Sequence, residues 1–377
     1  MKKQYVIIGA SAAGLSCAAK LAQLDPTANI ICISREEWSY NKCLLNSYAS
    51  GIIKKEALGL EYIYSEYKER ITFIYNAEVI AVNSAQHNII YVRDNKEHSL
   101  FYDALFIGVG THARKFSHER ALNFHTFDDA IRLSAAWFDK LTMSEQSQTA
   151  LVIGSGITGI ECAVLLKKYI SRVYLVEKSA HLLPALGDGT ASHVIKNILE
   201  EQGITCCVST ENISNLPQTD TIINATGAVP ATDFLQSSSV ALHNGYIITN
   251  NYMQTSVTTI FAGGDCIVTY EKYSQKPVTS HVWNDACAQG AYAAHAMAGQ
   301  PRIYPGIIPY VSTKLGTLSL IYAGTIDDQL LTSTQRSSGN FYEKIVHGYN
   351  NNLHGFVLIG KINNAVALKR KLMGEFG

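Results

Sequence analysis

Tyr5-Val-Ile-Ile-Gly-Ala-Ser-Ala-Ala-Gly-Leu-Ser-Cys-Ala-Ala-Lys-Leu21 recurs in outline as Ala150-Leu-Val-Ile-Gly-Ser-Gly-Ile-Thr-Gly-Ile-Glu-Cys-Ala-Val-Leu-Leu166. Each copy is a short apolar run, a glycine-rich turn and a helix of small residues. Each is followed by a further apolar run, Asn29–Ile33 and Arg172–Val176. Strand, turn, helix and strand make a βαβ unit, so the chain carries two. A strand that enters a helix through a tight glycine turn aims backbone N–H groups at a pyrophosphate, and the helix dipole favours the negative charge. The second copy, Gly154-x-Gly156-x-x-Gly159, is a complete fingerprint with Ile157 opening the helix. Glu177 ends the following strand, where an acid can bind a ribose 2′-OH. The first copy, Gly9-x-Ser11-x-x-Gly14, has serine for the middle glycine and Ala12-Ala13 at the helix start. Counting along its second strand puts Ser34 in the place of the acid, with Arg35 and Glu36 just beyond. Ser34 keeps a hydroxyl for a ribose but lacks the carboxylate.

Outward from the repeat, composition sets the bounds. The 377 residues suggest two or three domains at roughly 100–200 each. At 47% hydrophobic and 16% charged, with 27 Gly and 8 Pro, the chain is globular and neither disordered nor fibrous. Thirty-one basic residues balance 31 acidic ones, so no basic excess points to a nucleic acid or an anionic membrane. No window reaches the ~20 apolar residues of a membrane span. Eight cysteines without a CxxC pair do not read as a secreted disulfide framework, and the expected setting is reducing and cytoplasmic. Met1-Lys2-Lys3 before an apolar run imitates a secretory signal, but cleavage would destroy the first nucleotide turn.

Four further segments fall in a family's order. Tyr102-Asp-Ala-Leu-Phe-Ile-Gly-Val-Gly110 and Asp220-Thr-Ile-Ile-Asn-Ala-Thr-Gly227 are apolar strands that end on glycine. Thr255-Ser-Val-x-x-Ile-Phe-Ala-Gly-Gly264-Asp265 and Trp283-x-x-Ala-x-x-Gln-Gly290 follow. Together with the two turns they resemble the FAD- and NAD(P)H-dependent pyridine nucleotide–disulfide oxidoreductases, over residues 1 to about 300. The resemblance implies an α/β fold: two Rossmann-like, glutathione reductase-like domains plus a small α+β C-terminal domain. It implies an FAD domain split over 1–112 and 236–304, an NAD(P)H domain at 113–235, and a small domain at 305–377. The first strand, ending in Gly110, would close the first FAD segment, and the second, ending in Gly227, the nicotinamide domain. Asp265 would bind the flavin ribityl chain, and the Trp283 helix would lie near the flavin pyrimidine. In the last segment, Phe341–Val346 and Leu353–Gly360 alternate as a hairpin with its turn at 349–352, followed by a basic helix at Ala365–Leu372. This short tail resembles those of rubredoxin reductases and of the flavoprotein part of nitrite reductases.

Ser39-Tyr-Asn-Lys42-Cys43-Leu-Leu45 resembles two branches of the family at once. Cys43 falls on the single cysteine of coenzyme A–disulfide reductases and related NADH oxidases. Lys42 falls on the basic residue of rubredoxin and ferredoxin reductases. With Asn41 as N-cap and Gly51 as stop, Cys43 is expected in the first turn of a helix. There, unpaired amides and Lys42 would stabilise a thiolate. The other seven cysteines read as packing residues, Cys17 and Cys162 at the same offset in the two repeats. Among the histidines only His281, two residues before Trp283, is placed to act as a flavin-side acid or base.

The expected function is an FAD-dependent oxidoreductase that takes hydride from NAD(P)H. NADH is favoured because Glu177 would repel a 2′-phosphate. The acceptor is a disulfide or other sulfur species through Cys43, a small electron-carrier protein, or oxygen. A flavin-based redox sensor is the non-enzymatic alternative. A homodimer is compatible with the chain.

Overall fold

The computed structural model describes residues 2–116, 118, 120–141, 148–212, 219–326, 332–348 and 351–374. The chain groups into two compact units. One comprises residues up to Cys43, Lys55–His112 and Val229–Ile307; the other comprises Leu44–Lys54, Ala113–Ala228 and the residues from Ile308 onward.

The first unit is built on a five-stranded parallel sheet. Its strand order is Ile260–Ala262, Ala104–Ile107, Gln4–Ile8, Asn29–Ile33, Ile71–Ile74. The inner strands are apolar without alternation because both faces are covered; Val6, Ile7, Leu105 and Phe106 are fully buried. Helix Ala12–Leu24 lies against helix Trp283–Met297. The approach is so close that a Cβ on Gly290 would overlap the Ala13 carbonyl. Cys17 is fully buried, its Sγ 3.8 Å from the Met297 sulfur, as the packing reading expects. A three-stranded antiparallel sheet, Glu78–Asn83, Asn88–Arg93 and Lys96–Phe101, completes this unit's larger strands.

The second unit repeats the plan. Five parallel strands run Ile204–Cys207, Arg172–Val176, Thr149–Ile153, Thr221–Asn224, Ala121–Asn123. The two repeats match in register. Ile8 pairs with Ile33 as Ile153 pairs with Val176. Gly9 N donates to Ile33 O, and Gly154 N to Val176 O, both at 2.8 Å. Ser34 and Glu177 are therefore equivalent positions, as counting along the strands expects.

The C-terminal residues form more than a hairpin. Phe341–His347 and Leu353–Ile359 do pair, but inside a five-stranded antiparallel sheet with Tyr310–Leu315, Leu318–Gly324 and Thr332–Ser338. Tyr349 and Asn350 of the expected turn lie outside the described residues. Strand Thr332–Ser338 is exposed along its whole length and polar throughout, so it offered no apolar alternation to read. Helix Ala365–Met373 follows. This sheet joins the second unit through Asp188, which N-caps helix Gly189–Glu201 by accepting from Ala191 N at 3.0 Å. Asp188 also accepts from the Tyr342 hydroxyl at 2.5 Å and lies 3.6 Å from the Lys344 ammonium.

Candidate active site

The first glycine turn has its shape because nothing larger than hydrogen fits. Gly9 sits at φ +105, with the Gly108 carbonyl where a Cβ would go, and a Cβ on Gly14 would overlap the Gly9 carbonyl. Ser11 caps helix Ala12–Leu24 in extended backbone, and its side chain makes no cap hydrogen bond. The leading amides of the helix, Ala12, Ala13 and Gly14 among them, have no intrahelical acceptor. A cleft opens beside this turn, and Gly9, Ser11, Ser34, Arg35 and Lys42 all line it. Five of the expected site residues thus converge. Glu36, Trp38, Tyr40 and Ala77–Val79 line it as well, none of them among the expected site residues. Ser34 is nearly buried, and its hydroxyl accepts from Glu36 N at 3.2 Å.

The later glycines meet the first helix. Gly264, at φ +82, faces Ala13, whose Cβ lies 3.2 Å from where a Gly264 Cβ would be. Gly264 N donates to Gln289 Oε1 at 2.7 Å, and Gln289 is buried. Gln289 was quoted in a motif but not foreseen as the residue that holds this turn. Gly110, at φ +66, faces open space. Trp283 opens its helix and packs against the unit's core. Beside it, Asp265 Oδ2 lies 3.5 Å from His281 Nδ1. That hydrogen bond raises the imidazole pKa, against the pull of burial. Asp285 in the first turn of the helix accepts from Ser280 Oγ at 2.7 Å. Burial, reinforced by the charge of Asp265 and eased by Ser280, pushes its carboxyl up to about 6.

The segment around Cys43 differs from the expected single helix. Lys42–Leu44 is one 3-10 turn, and the α-helix that follows, Leu45–Ala49, has five residues. Asn41 does cap, its Oδ1 accepting from Cys43 N at 2.9 Å. Gly51 does sit at positive φ. The helix stays short because its last carbonyls are taken up locally: Ser50 Oγ donates to Asn46 O at 2.8 Å and to Ser47 O at 3.2 Å, and the Ile52 and Ile53 backbone amides both turn back to Ser47 O. Cys43 is the exposed member of the eight cysteines. Cys17, Cys32, Cys162, Cys206 and Cys266 are buried, and burial pushes the thiols of Cys32, Cys206 and Cys266 up to about 12.

In the second unit Gly154, at φ +100, faces the Ala225 carbonyl, and a Cβ on Gly159 would overlap the Gly154 carbonyl. Gly156 N-caps helix Ile157–Leu166, and neither it nor Gly227 has an atom within 4 Å of its Cβ position. Glu177 is buried and fully engaged. Oε2 accepts from Ser155 N at 3.1 Å and Ser155 Oγ at 2.7 Å; Oε1 accepts from Ser179 N and Ser179 Oγ, both at 2.9 Å. Burial would raise its pKa, but these four bonds prevail and lower it. Ser155 and Ser179 escaped sequence reading because neither stands at a fingerprint position. Glu161 escaped it too, though a carboxylate inside the apolar run Gly-Ile-Glu-Cys-Ala was the available signal. It accepts from Asn46 Nδ2 at 2.5 Å and Thr313 Oγ1 at 3.3 Å, and burial raises its pKa despite both.

No helix among the described residues is long and apolar enough to cross a membrane. Comparison with known proteins matches residues 3–290 to the family model for pyridine nucleotide-disulphide oxidoreductases. The assimilatory nitrate reductase electron transfer subunit of Bacillus subtilis is 24% identical over all of this chain, which spans half the length of that relative. Coenzyme A disulfide reductase of Staphylococcus epidermidis is 24% identical over 80% of this chain and 72% of its own. Among solved structures, NADH:rubredoxin oxidoreductase from Clostridium acetobutylicum has the same fold at TM-score 0.80 and 21% identity, covering 99% of this chain and 96% of that one. The chain belongs to the pyridine nucleotide-disulphide oxidoreductase family, flavoenzymes that take reducing equivalents from NAD(P)H.

Proposed function

We propose that this chain binds FAD in its first unit and NADH in its second, and passes electrons to a disulfide or related sulfur species through Cys43. The observation that carries the reading is the pair of register-matched glycine turns, with an exposed cysteine next to a residue of the first cleft. The residues fit the two nucleotides. The amides of Ala12, Ala13 and Gly14 are donors for the FAD pyrophosphate, and Ser34 and Arg35 stand at the strand end where its ribose belongs. Gly110, Gly264, Asp265 and Trp283 serve the flavin half. Gly154, Gly156, Ile157, Gly159 and Gly227 take the nicotinamide dinucleotide. On this reading residues 1–112 and 236–304 are the FAD domain, 113–235 the NADH domain and 305–377 the small C-terminal domain.

FAD, when bound, supplies the relay between a hydride donor and the acceptor. The protein orients its partners and sets the charge around them. Glu177 carries a negative charge beside the ribose of the nicotinamide nucleotide and discriminates against a 2′-phosphate. Cys43 as thiolate attacks a disulfide sulfur, forming a mixed disulfide and releasing one thiolate, which takes a proton from water. Two electrons from NADH then cleave the mixed disulfide, releasing the second substrate thiolate, which takes a proton, and restoring the Cys43 thiolate, which Lys42 stabilises. Anaerobic titration with NADH tests the assignment. A long-wavelength absorption band at two-electron reduction that disappears in Cys43→Ser supports it. A Cys43→Ser protein with full turnover on every disulfide tried refutes it.

A second reading, transfer to a small electron-carrier protein, is favoured by one observation. The rubredoxin oxidoreductase matches this chain almost end to end. Rubredoxin reduction that is undiminished in Cys43→Ser, with no disulfide turnover in the unaltered protein, would select it.

A further inference from the structure

Next to Asp265 the first unit carries a compact set of ionisable groups that family membership does not explain. His281 Nδ1 stands 3.5 Å from Asp265 Oδ2, and His281 is half-exposed, so its proton exchanges with solvent. Behind them Asp285 is held by Ser280 Oγ at 2.7 Å. Asp285 feels the charge of Asp265, and Tyr304 in turn feels the charge of Asp285. Cys266, the next residue after Asp265, is fully buried. Asp265 thus has an imidazole 3.5 Å away and a second carboxylate near enough to feel its charge. With His281 neutral, the contact is at most an ordinary hydrogen bond. With His281 charged, it is charge-assisted and pins the carboxylate.

We propose that His281 is a positioning residue for Asp265, and that its imidazolium fixes the Asp265 carboxylate for FAD, so that FAD affinity depends on the protonation of this one histidine. The proposal rests on the FAD reading above. The Asp265 contact raises the pKa of His281 above the ordinary value near 6.5, so the pinned form persists to higher pH than an ordinary imidazolium would. It is lost as pH rises through that raised value. Burial pushes the Asp285 carboxyl up to about 6, close enough to the His281 transition that Asp285→Asn is needed to separate the two, while the buried thiol of Cys266 and the phenol of Tyr304 stay protonated.

The experiment is FAD titration of the full-length apoprotein between pH 6.5 and 9, followed by quenching of flavin fluorescence. Dissociation constants should rise about three- to fivefold across that range, the scale of one partly exposed charge pair. His281→Gln should bind FAD with no such step, and His281→Lys, which keeps a cation, should bind tightly and without one. Asp285→Asn should keep the step. An unaltered protein whose FAD affinity is flat with pH overturns the proposal and leaves the FAD site standing. So does a step that survives in His281→Gln or vanishes in Asp285→Asn. An apoprotein that takes up no FAD at any pH overturns the FAD reading and the proposal together.

Discussion

Replacing Glu177 by Gln separates two ways in which an acid can choose NADH. In one, the carboxylate accepts hydrogen bonds from the ribose diol. In the other, it repels a 2′-phosphate. Four donors from Ser155 and Ser179 already occupy the carboxylate, at 2.7–3.1 Å. An ionised carboxylate offers about four lone-pair sites, so a diol can bond only by displacing a serine. Such an exchange nets little, because one hydrogen bond replaces another. The charge is a different matter. Two unit charges ~4 Å apart at an effective dielectric of ~20 interact by about 4 kcal/mol, and screening by solvent and salt cuts this to about 1–2 kcal/mol. Glu177→Gln should therefore raise kcat/KM for NADPH roughly tenfold, since about 1.4 kcal/mol is a factor of ten. It should leave kcat/KM for NADH within about threefold, the size of a single net hydrogen bond. Steady-state kinetics with both nucleotides and a saturating acceptor give the two numbers. A loss of tenfold or more with NADH and no gain with NADPH would refute the reasoning, because the ribose would then hold the carboxylate in place of the serines.

Gly159→Ala should abolish nucleotide binding in the second unit, since its Cβ would overlap the Gly154 carbonyl. Overpacking of this kind costs about 1–3 kcal/mol or more, and NADH titration with a urea unfolding curve would show both effects. Asp188→Ala should destabilise the second unit by about 2–4 kcal/mol, adding a lost N-cap to a stranded Tyr342 hydroxyl and Lys344 ammonium; a shifted urea midpoint checks it. Asp188 and Glu177 both titrate below the ordinary carboxylate range. For Asp188, burial is outweighed by Tyr342, the Ala191 amide and Lys344; for Glu177, by the serine bonds. Their stabilisation is thus present above pH ~4 and lost as pH falls through the lowered values, and acid unfolding followed by circular dichroism should show it. In Gln289→Ala the Gly264 amide loses its buried acceptor, which costs about 1–3 kcal/mol; faster release of FAD on dilution would report it.

The fold was legible where chemistry forces a residue type. Gly9, Gly14, Gly154 and Gly159 each stand where a Cβ would meet a carbonyl, so the repeat could be read from glycine spacing alone. The Phe341–Val346 and Leu353–Gly360 strands were legible from their apolar residues, although Leu353–Ile359 is buried on both faces rather than one. Strand Thr332–Ser338 buries neither face, so its residues obey no pattern. The cleft was legible at Gly9, Ser11, Ser34, Arg35 and Lys42, which all line it. The rest of the site was hidden where function depends on contacts distant in the chain. Ser155 sits 22 residues from Glu177, Gln289 lies 25 from Gly264, and Glu161 meets Asn46 across 115 residues. The helix expected at Cys43 failed for a local reason: the Ser50 hydroxyl donates to the Asn46 and Ser47 carbonyls, a bond no apolar residue makes.

The two repeats share register and a strand–turn–helix plan, and apart from Ser11 in place of Gly156 in the turn they differ most tellingly at the position that follows the second strand. The Ser34 hydroxyl accepts from the backbone amide of Glu36 and carries no charge. Glu177 engages two serines through four bonds and carries one. Identical scaffolds would bind either nucleotide in either unit, since both present the same amides to a pyrophosphate. The residue at the strand end breaks that symmetry. On the proposed assignment, an uncharged hydroxyl beside Arg35 takes the adenosine half of FAD, and a braced carboxylate takes a bare ribose and rejects a phosphorylated one. The serines are what make the difference durable, because an acid held by four donors cannot swing aside when a phosphate arrives. Assignment of each nucleotide to its unit thus depends less on the glycine fingerprint than on how rigidly the next residue is held.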